Sequence, residues 1–315
     1  MEFVGIKNQG VTDYINSVLQ QLFIVIDFRE SVLNVSFNKG KEELNENELI
    51  LYELKNIFHI LSEKQVDCTE TVEFCKAFID YGGNPINVLI QMDTLEFLNL
   101  LFYRLELALS GLVTNSFGGT LSSQVVCREA NHLHEIKEPF FSISLEVSGI
   151  TSIKQSLKQF CESEILESEN QYYCDKCGKK VDALKRLIIS KMPKHLIFHL
   201  NRYQFDLNTF ERIKLNSFFE FPIKINLKEF LLQNENQNQN EDQNYTLSGI
   251  IVHTGTLNSG HYHSITNTKT KWLSFNDRVV SEYNTADLEN DFYGGLDHDK
   301  KKKKQSAYML IYRHD

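Results

Sequence analysis

Proline is scarce in this 315-residue chain, with only four, and tryptophan occurs once. Positive charge is short too: 33 Lys and Arg stand against 42 Asp and Glu, a net charge of −9. That balance argues against nucleic-acid binding, which neutralises phosphates with basic side chains. No apolar run approaches the roughly 18 residues of a membrane span. The N-terminus, Met1-Glu-Phe-Val-Gly5, has neither the charged head nor the apolar core of a secretion signal. The few prolines and 15 glycines exclude a collagenous or broadly disordered chain. Cysteines number six, irregularly spaced at 68, 75, 127, 161, 174 and 177. They read as reduced thiols of an intracellular protein, cytoplasmic or nuclear, with one candidate metal pair. What remains is ordinary for a globular protein: 42% hydrophobic and 24% charged residues, enough for one large domain or two intimate ones.

Periodicity divides the chain. Ile15, Val18, Leu19, Leu22 and Ile26 share one helical face, predicting a helix over 13–26 with Thr12 and Asp13 in capping positions. Segments 46–63, 70–80 and 92–110 are further helices. From about 120 the segments 120–127, 139–147, 184–190, 195–203, 245–253, 261–266, 271–276 and 307–313 read as strands, with helical turns near 153–160 and 285–290. A helical lobe before a β-rich lobe predicts an α+β fold. Residues 233–244 contain no apolar side chain and are expected to form a mobile surface insertion. The lysine-rich stretch 297–304 is expected to be a solvated loop.

Four motifs carry chemistry. Gly5-Ile-Lys-Asn-Gln-Gly-Val-Thr-Asp-Tyr-Ile-Asn-Ser17 is a polar turn delivering Asp13 to a helix N-terminus, where unpaired N–H groups and the dipole favour negative charge. His253-Thr-Gly255 and Gly260-His-Tyr-His263 follow, with His261 and His263 on one face of a strand and Gly260 allowing close approach. In Trp272-Leu-Ser-Phe-Asn276, Leu273 and Phe275 face the core, so Asn276 faces away and can orient an imidazole; Asp277 falls past the strand on the other side. In Gln91-Met-Asp-Thr-Leu-Glu96, Asp93 and Glu96 share a helix face. Cys174-x-x-Cys177 is a zinc knuckle short of two ligands; Cys127 stands alone, with Ala130 where a fourth thiol would fall, and His132 is near in sequence.

These boxes resemble those of the ubiquitin-specific proteases, papain-like deubiquitinases, from residue 5 to 313, and most closely the very large members. The resemblance implies a hand-shaped domain with a helical thumb at 1–115, β-ribbon fingers at 117–195 and a β-rich palm at 196–315. It implies that His261 is the general base, Asn276 its orienter and Asn8 the oxyanion donor. It also implies that Gln91, Asp93, Glu96, His253 and Tyr262 contact ubiquitin, and that Cys127, Cys174 and Cys177 serve a structural zinc, with no cofactor for catalysis. Asp13 occupies the place of the nucleophilic cysteine. A carboxylate is a poor nucleophile toward an amide, so a pseudoprotease that recognises ubiquitin or ubiquitinated proteins is expected, flanked by other domains of a larger protein. An active cysteine-type deubiquitinase and a scaffold that binds no ubiquitin are the rival readings.

Overall fold

The computed structural model describes residues 3–315 apart from 81, 207–209, 233–242, 257–258 and 297–298. Most of the expected surface insertion, and residues 297 and 298 of the lysine-rich loop, therefore lie outside the described residues. The chain opens with β1 (Gly5–Ile6), α1 (Asp13–Ile24), α2 (Ile26–Leu33) and α3 (Glu46–Glu63). The expected helix over 13–26 breaks at Val25, whose φ of −71° and ψ of 99° are extended. The β-branched run Ile24-Val25-Ile26 crowds a helical backbone at this point. Asn45 caps α3 by accepting from the Asn47 and Glu48 amides, while the Glu48 carboxylate accepts from the Asn45 amide, a reciprocal capping box. Next come β2 (Cys68–Thr69), which pairs in parallel with β1, then α4 (Val72–Ala77), α5 (Thr94–Ala108) and α6 (Thr114–Phe117).

The β-rich part continues with β3 (Gly119–Cys127), β4 (Leu133–Phe140), β5 (Ser142–Glu146), α7 (Ile153–Phe160), β6 (Glu164–Leu166), β7 (Tyr172–Cys174), β8 (Lys179–Val181) and β9 (Ala183–Lys191). One four-stranded sheet has the order β4-β3-β9-β6, and β7 and β8 form a separate hairpin. The chain then runs through β10 (His195–Asn201), β11 (Tyr203–Asp206), β12 (Glu211–Lys214), β13 (Lys224–Asn226), β14 (Asn244–Gly255), β15 (Gly260–Asn267), β16 (Trp272–Asn276), β17 (Val279–Tyr283), α8 (Leu288–Phe292) and β18 (Gln305–His314). The large sheet has the order β17-β16-β15-β14-β18-β10-β5, with β13 pairing off β14. Only the β10–β5 pairing in it is parallel. Two expected boundaries change here. The single strand over 139–147 divides at Phe141, and β5 joins the large sheet, so the segment 117–195 expected as fingers is interrupted by a strand of that sheet.

Two cores flank the seam between lobes. One gathers Tyr14, Val18, Leu22, Phe58, Phe97 and Leu101 in the helical part; the other gathers Phe198, Leu200, Ile250, Val252 and Leu310 under the sheet. Helix α1 lies in the seam against β15 and α5, and Asp13 to Phe23 are all buried. A helix buried all round must satisfy its polar side chains. Asn16 donates to the Ile6 carbonyl and to Asp277, Gln20 to the Val4 carbonyl, and Gln21 to the carbonyls of Ile250 and Ile265. These amides bolt the helix to β1, β14 and β15, and so set where residue 13 points. Among the described residues no helix is long and apolar enough to cross a membrane.

Candidate functional site

Thr12 is the N-cap of α1, yet its hydroxyl accepts from the Gln9 amide and caps nothing in the helix. Asp13, the first helical residue, does not cap either. Its carboxylate reaches across the seam, where Oδ2 accepts from the Tyr262 backbone amide at 2.6 Å and the Gln91 side chain at 3.2 Å. The same oxygen lies 3.3 Å from His261 Nδ1. The expected capping role therefore gives way to a contact with β15, the stronger because Asp13 is 2% exposed and has little solvent to compete.

His261 stands between acceptors. Nδ1 faces Asp13, and Nε2 lies 2.7 Å from Asn276 Oδ1. Both ring nitrogens therefore need a proton, which only the imidazolium supplies. The hydrogen bond to Asp13 raises the His261 pKa from 6.5 to about 9; Asn276 and the charges of Asp13 and Asp277 add to it, against burial. Because the folded-state pKa is raised, the pairing stabilises the fold fully below pH 6.5 and is lost as pH rises through about 9. An NMR titration of the His261 ring is expected to give a midpoint near 9 in the native protein and one close to 6.5 in Asp13→Asn. A native midpoint at or below 6.5 would contradict the geometry. His263, stacked beside His261, is pushed down to about 4 by burial and by its cationic neighbour.

Asp277, expected past the strand on its other side, is central here. A left-handed backbone at Asp277, φ 52°, turns it back from the end of β16 instead of carrying it to the far side. Its carboxylate accepts from Asn8 Nδ2 at 3.1 Å and Asn16 Nδ2 at 2.8 Å, and comes 3.9 Å from His261 Nε2. The signal available was the tight connection between β16 and β17, where a polar residue readily adopts φ > 0. Asn8, expected as an oxyanion donor, thus has its amide engaged with Asp277, while its Oδ1 accepts from the Gly10 and Thr12 amides. Gly260 is also reassigned: a Cβ there would overlap the His253 ring, so the glycine makes room for that imidazole rather than for an incoming chain.

Of the expected contact residues, Gln91, Asp93, His253 and Tyr262 line a cleft of about 790 Å³ together with Tyr203 and Arg212, whereas Glu96 does not line it. Asp93 is the N-cap of α5, accepting from the Leu95 and Glu96 amides, and its second oxygen accepts from the Tyr308 hydroxyl. It therefore sits ahead of the helix face on which Glu96 is exposed, and the shared face expected of the pair is not formed. His253 is 2% exposed, and burial pushes its pKa down to about 3. Tyr262 is buried on the opposite side of β15 from His261 and addresses Asp13 through its backbone.

Far from this cleft, the Cys127, Cys174 and Cys177 sulfurs lie within 4.8 Å of one another, a group able to hold a metal ion. Cys127 and Cys177 Sγ are 3.7 Å apart, close to the roughly 3.8 Å that two thiolates adopt on tetrahedral zinc with bonds of about 2.3 Å. His132 Nδ1 is 4.0 Å from Cys174 Sγ. Three thiols and an adjacent imidazole are a donor set suited to zinc.

The first residue of a seam-buried helix, a carboxylate in this chain, thus faces an imidazole held by an amide on a neighbouring strand. The chain belongs to the ubiquitin carboxyl-terminal hydrolase family, whose profile matches residues 4–312. It is 30% identical to Ubiquitin carboxyl-terminal hydrolase 34 of Homo sapiens and to Ubiquitin carboxyl-terminal hydrolase 24 of Mus musculus, over 99% of its length in each case. Ubiquitin carboxyl-terminal hydrolase 15 of Schizosaccharomyces pombe is 30% identical over 98% of it. The chain spans 10%, 14% and 28% of those three proteins. The ubiquitin-specific-protease kinship and the papain-like α+β fold expected from the motifs are both borne out.

Proposed function

We propose that this domain recognises ubiquitin and ubiquitinated proteins without cleaving them, as a pseudoprotease module of a larger protein. One observation carries the reading: the position facing His261 holds the Asp13 carboxylate, whose hydrogen bond raises the imidazole's pKa to about 9 and favours its cationic form at neutral pH. A cationic imidazole cannot accept a proton, and a carboxylate attacking an amide would form a high-energy anhydride. His261, Asn276 and Asn8 are in this reading the remnants of base, orienter and oxyanion donor. Gln91, Asp93, Glu96, His253 and Tyr262 shape the channel for the ubiquitin tail. Zinc held by Cys127, Cys174 and Cys177, with His132 as the fourth ligand, would brace the tip of the fingers and supply no chemistry.

A thiol from elsewhere is disfavoured. Among the described residues, the hydrogen bonds and ion pairs of His261 go to Asp13, Asn276 and Asp277, and to no cysteine. Titration with labelled ubiquitin and diubiquitin is expected to show saturable binding, and a fluorogenic substrate at the ubiquitin C-terminus is expected to stay intact. Turnover that survives removal of contaminating proteases would overturn the loss of activity. No binding at millimolar concentration would leave only a scaffold.

A further inference from the structure

We propose, building on the ubiquitin-binding reading above, that Asp13 makes this site a selector of conjugated ubiquitin: it accepts an amide-linked C-terminus and rejects the free carboxylate. The two oxygens of the Asp13 carboxylate differ in their partners. Oδ2 is fully engaged, by the Tyr262 amide at 2.6 Å, Gln91 at 3.2 Å and the His261 ring at 3.3 Å. Oδ1 accepts no hydrogen bond among the described residues. Gln91 and Tyr262 also line the cleft, so a chain lying along it is led to this carboxylate.

The charges at that end are unbalanced toward the negative. Asp277 lies 3.9 Å from the same imidazole, so a single cation is shared by two carboxylates. Asp93 contributes a further carboxylate along the wall. Lys214 is turned away, its Nζ donating to the carbonyls of His253, Gly255 and Lys304, and burial pulls its pKa down to about 7. Among the described residues that line the cleft, Arg212 is the one basic side chain that opposes them. A free C-terminus would bring another anion to a site where screening by salt is weak. It would also bring no donor for Oδ1. A conjugate brings neither fault, because its terminal amide is neutral and its N–H can donate to Oδ1. The product of ubiquitin hydrolysis is thus the form this site excludes, and the uncleaved conjugate is the form it keeps.

The test uses the intact domain and ubiquitin labelled at its N-terminus with three different ends: the native carboxylate, a terminal carboxamide, and a form shortened by two residues. The carboxamide is expected to bind about tenfold tighter than the carboxylate, the order of effect of one uncompensated like charge in a partly buried site. Ubiquitin joined through an isopeptide bond to a lysine peptide is expected to match the carboxamide. In Asp13→Asn the gap should fall below about threefold. Equal binding of carboxamide and carboxylate, with the shortened form weaker, would overturn the selection while leaving ubiquitin recognition standing. No binding of any form would remove both. A gap that persists unchanged in folded Asp13→Asn would overturn the role given to Asp13. Should that variant not fold, the comparison of the two ends on the native protein decides.

Discussion

Asp13→Cys is expected to react with a ubiquitin suicide probe that the native domain, on the proposed reading, leaves untouched. Hydrolysis of a fluorogenic ubiquitin substrate should rise by roughly a thousandfold or more over background, since nucleophile and base act as a unit. The substitution removes the hydrogen bond that contributes most to the raised pKa of His261. The ring is thereby freed to exchange a proton with the new sulfur. That sulfur would sit at the N-terminus of α1, where the helix dipole stabilises a thiolate. Asn276 already holds Nε2 from the far side at 2.7 Å. Adding His261→Ala to the cysteine variant should abolish the gain. A well-folded Asp13→Cys protein that leaves the probe unreacted would mean that the site has changed beyond its nucleophile. Asn8 would then be the first suspect, since its amide is held by Asp277.

The largest expected loss of stability is at Arg202. This side chain is wholly buried; Nε donates to the Ala307 carbonyl at 2.7 Å, and Nη1 donates to the carbonyls of Leu215 and Ser217, both at 3.0 Å. Burial pulls its pKa down to about 10, so the guanidinium stays charged at neutral pH. Arg202 thus ties the end of β10 and the start of β11 to β18 and to the segment after Lys214, which together back the cleft wall carrying Tyr203 and Gln204. Arg202→Leu fills much of the volume but leaves three carbonyls without a donor. It is expected to cost about 3–5 kcal/mol. Equilibrium unfolding in urea measures the loss; a change below about 1 kcal/mol would show that water replaces the guanidinium at no great cost.

Legibility in the sequence followed the range of the interactions. Helix α3 coincides with its expected span of 46–63, because its apolar stripe and its Asn45–Glu48 capping box are local. The two lobes and the pairing of His261 with Asn276 were legible because alternation along a strand determines which side chains share a face. The polar residues of α1 were visible as a motif, but not as bolts. Asn16, Gln20 and Gln21 look like a solvated face until β1 and β14 are laid against them. Asp93 was assigned to a helix face and proved to be the cap before it, since a residue two positions either side of a helix start obeys different rules. Asp277 escaped because its orientation depends on a single left-handed φ.

The sequence by itself determined that residue 13 lacks a sulfur and stands at a helix start, that an imidazole and an amide lie on strands able to meet it, and that the scaffold is α+β. What that carboxylate does was decided only by the tertiary structure. Its donors come from Gln91, 78 residues away, and from the Tyr262 amide, 249 residues away. No local pattern encodes such partners. Closing the seam around α1 brings them together and withdraws water from the pair.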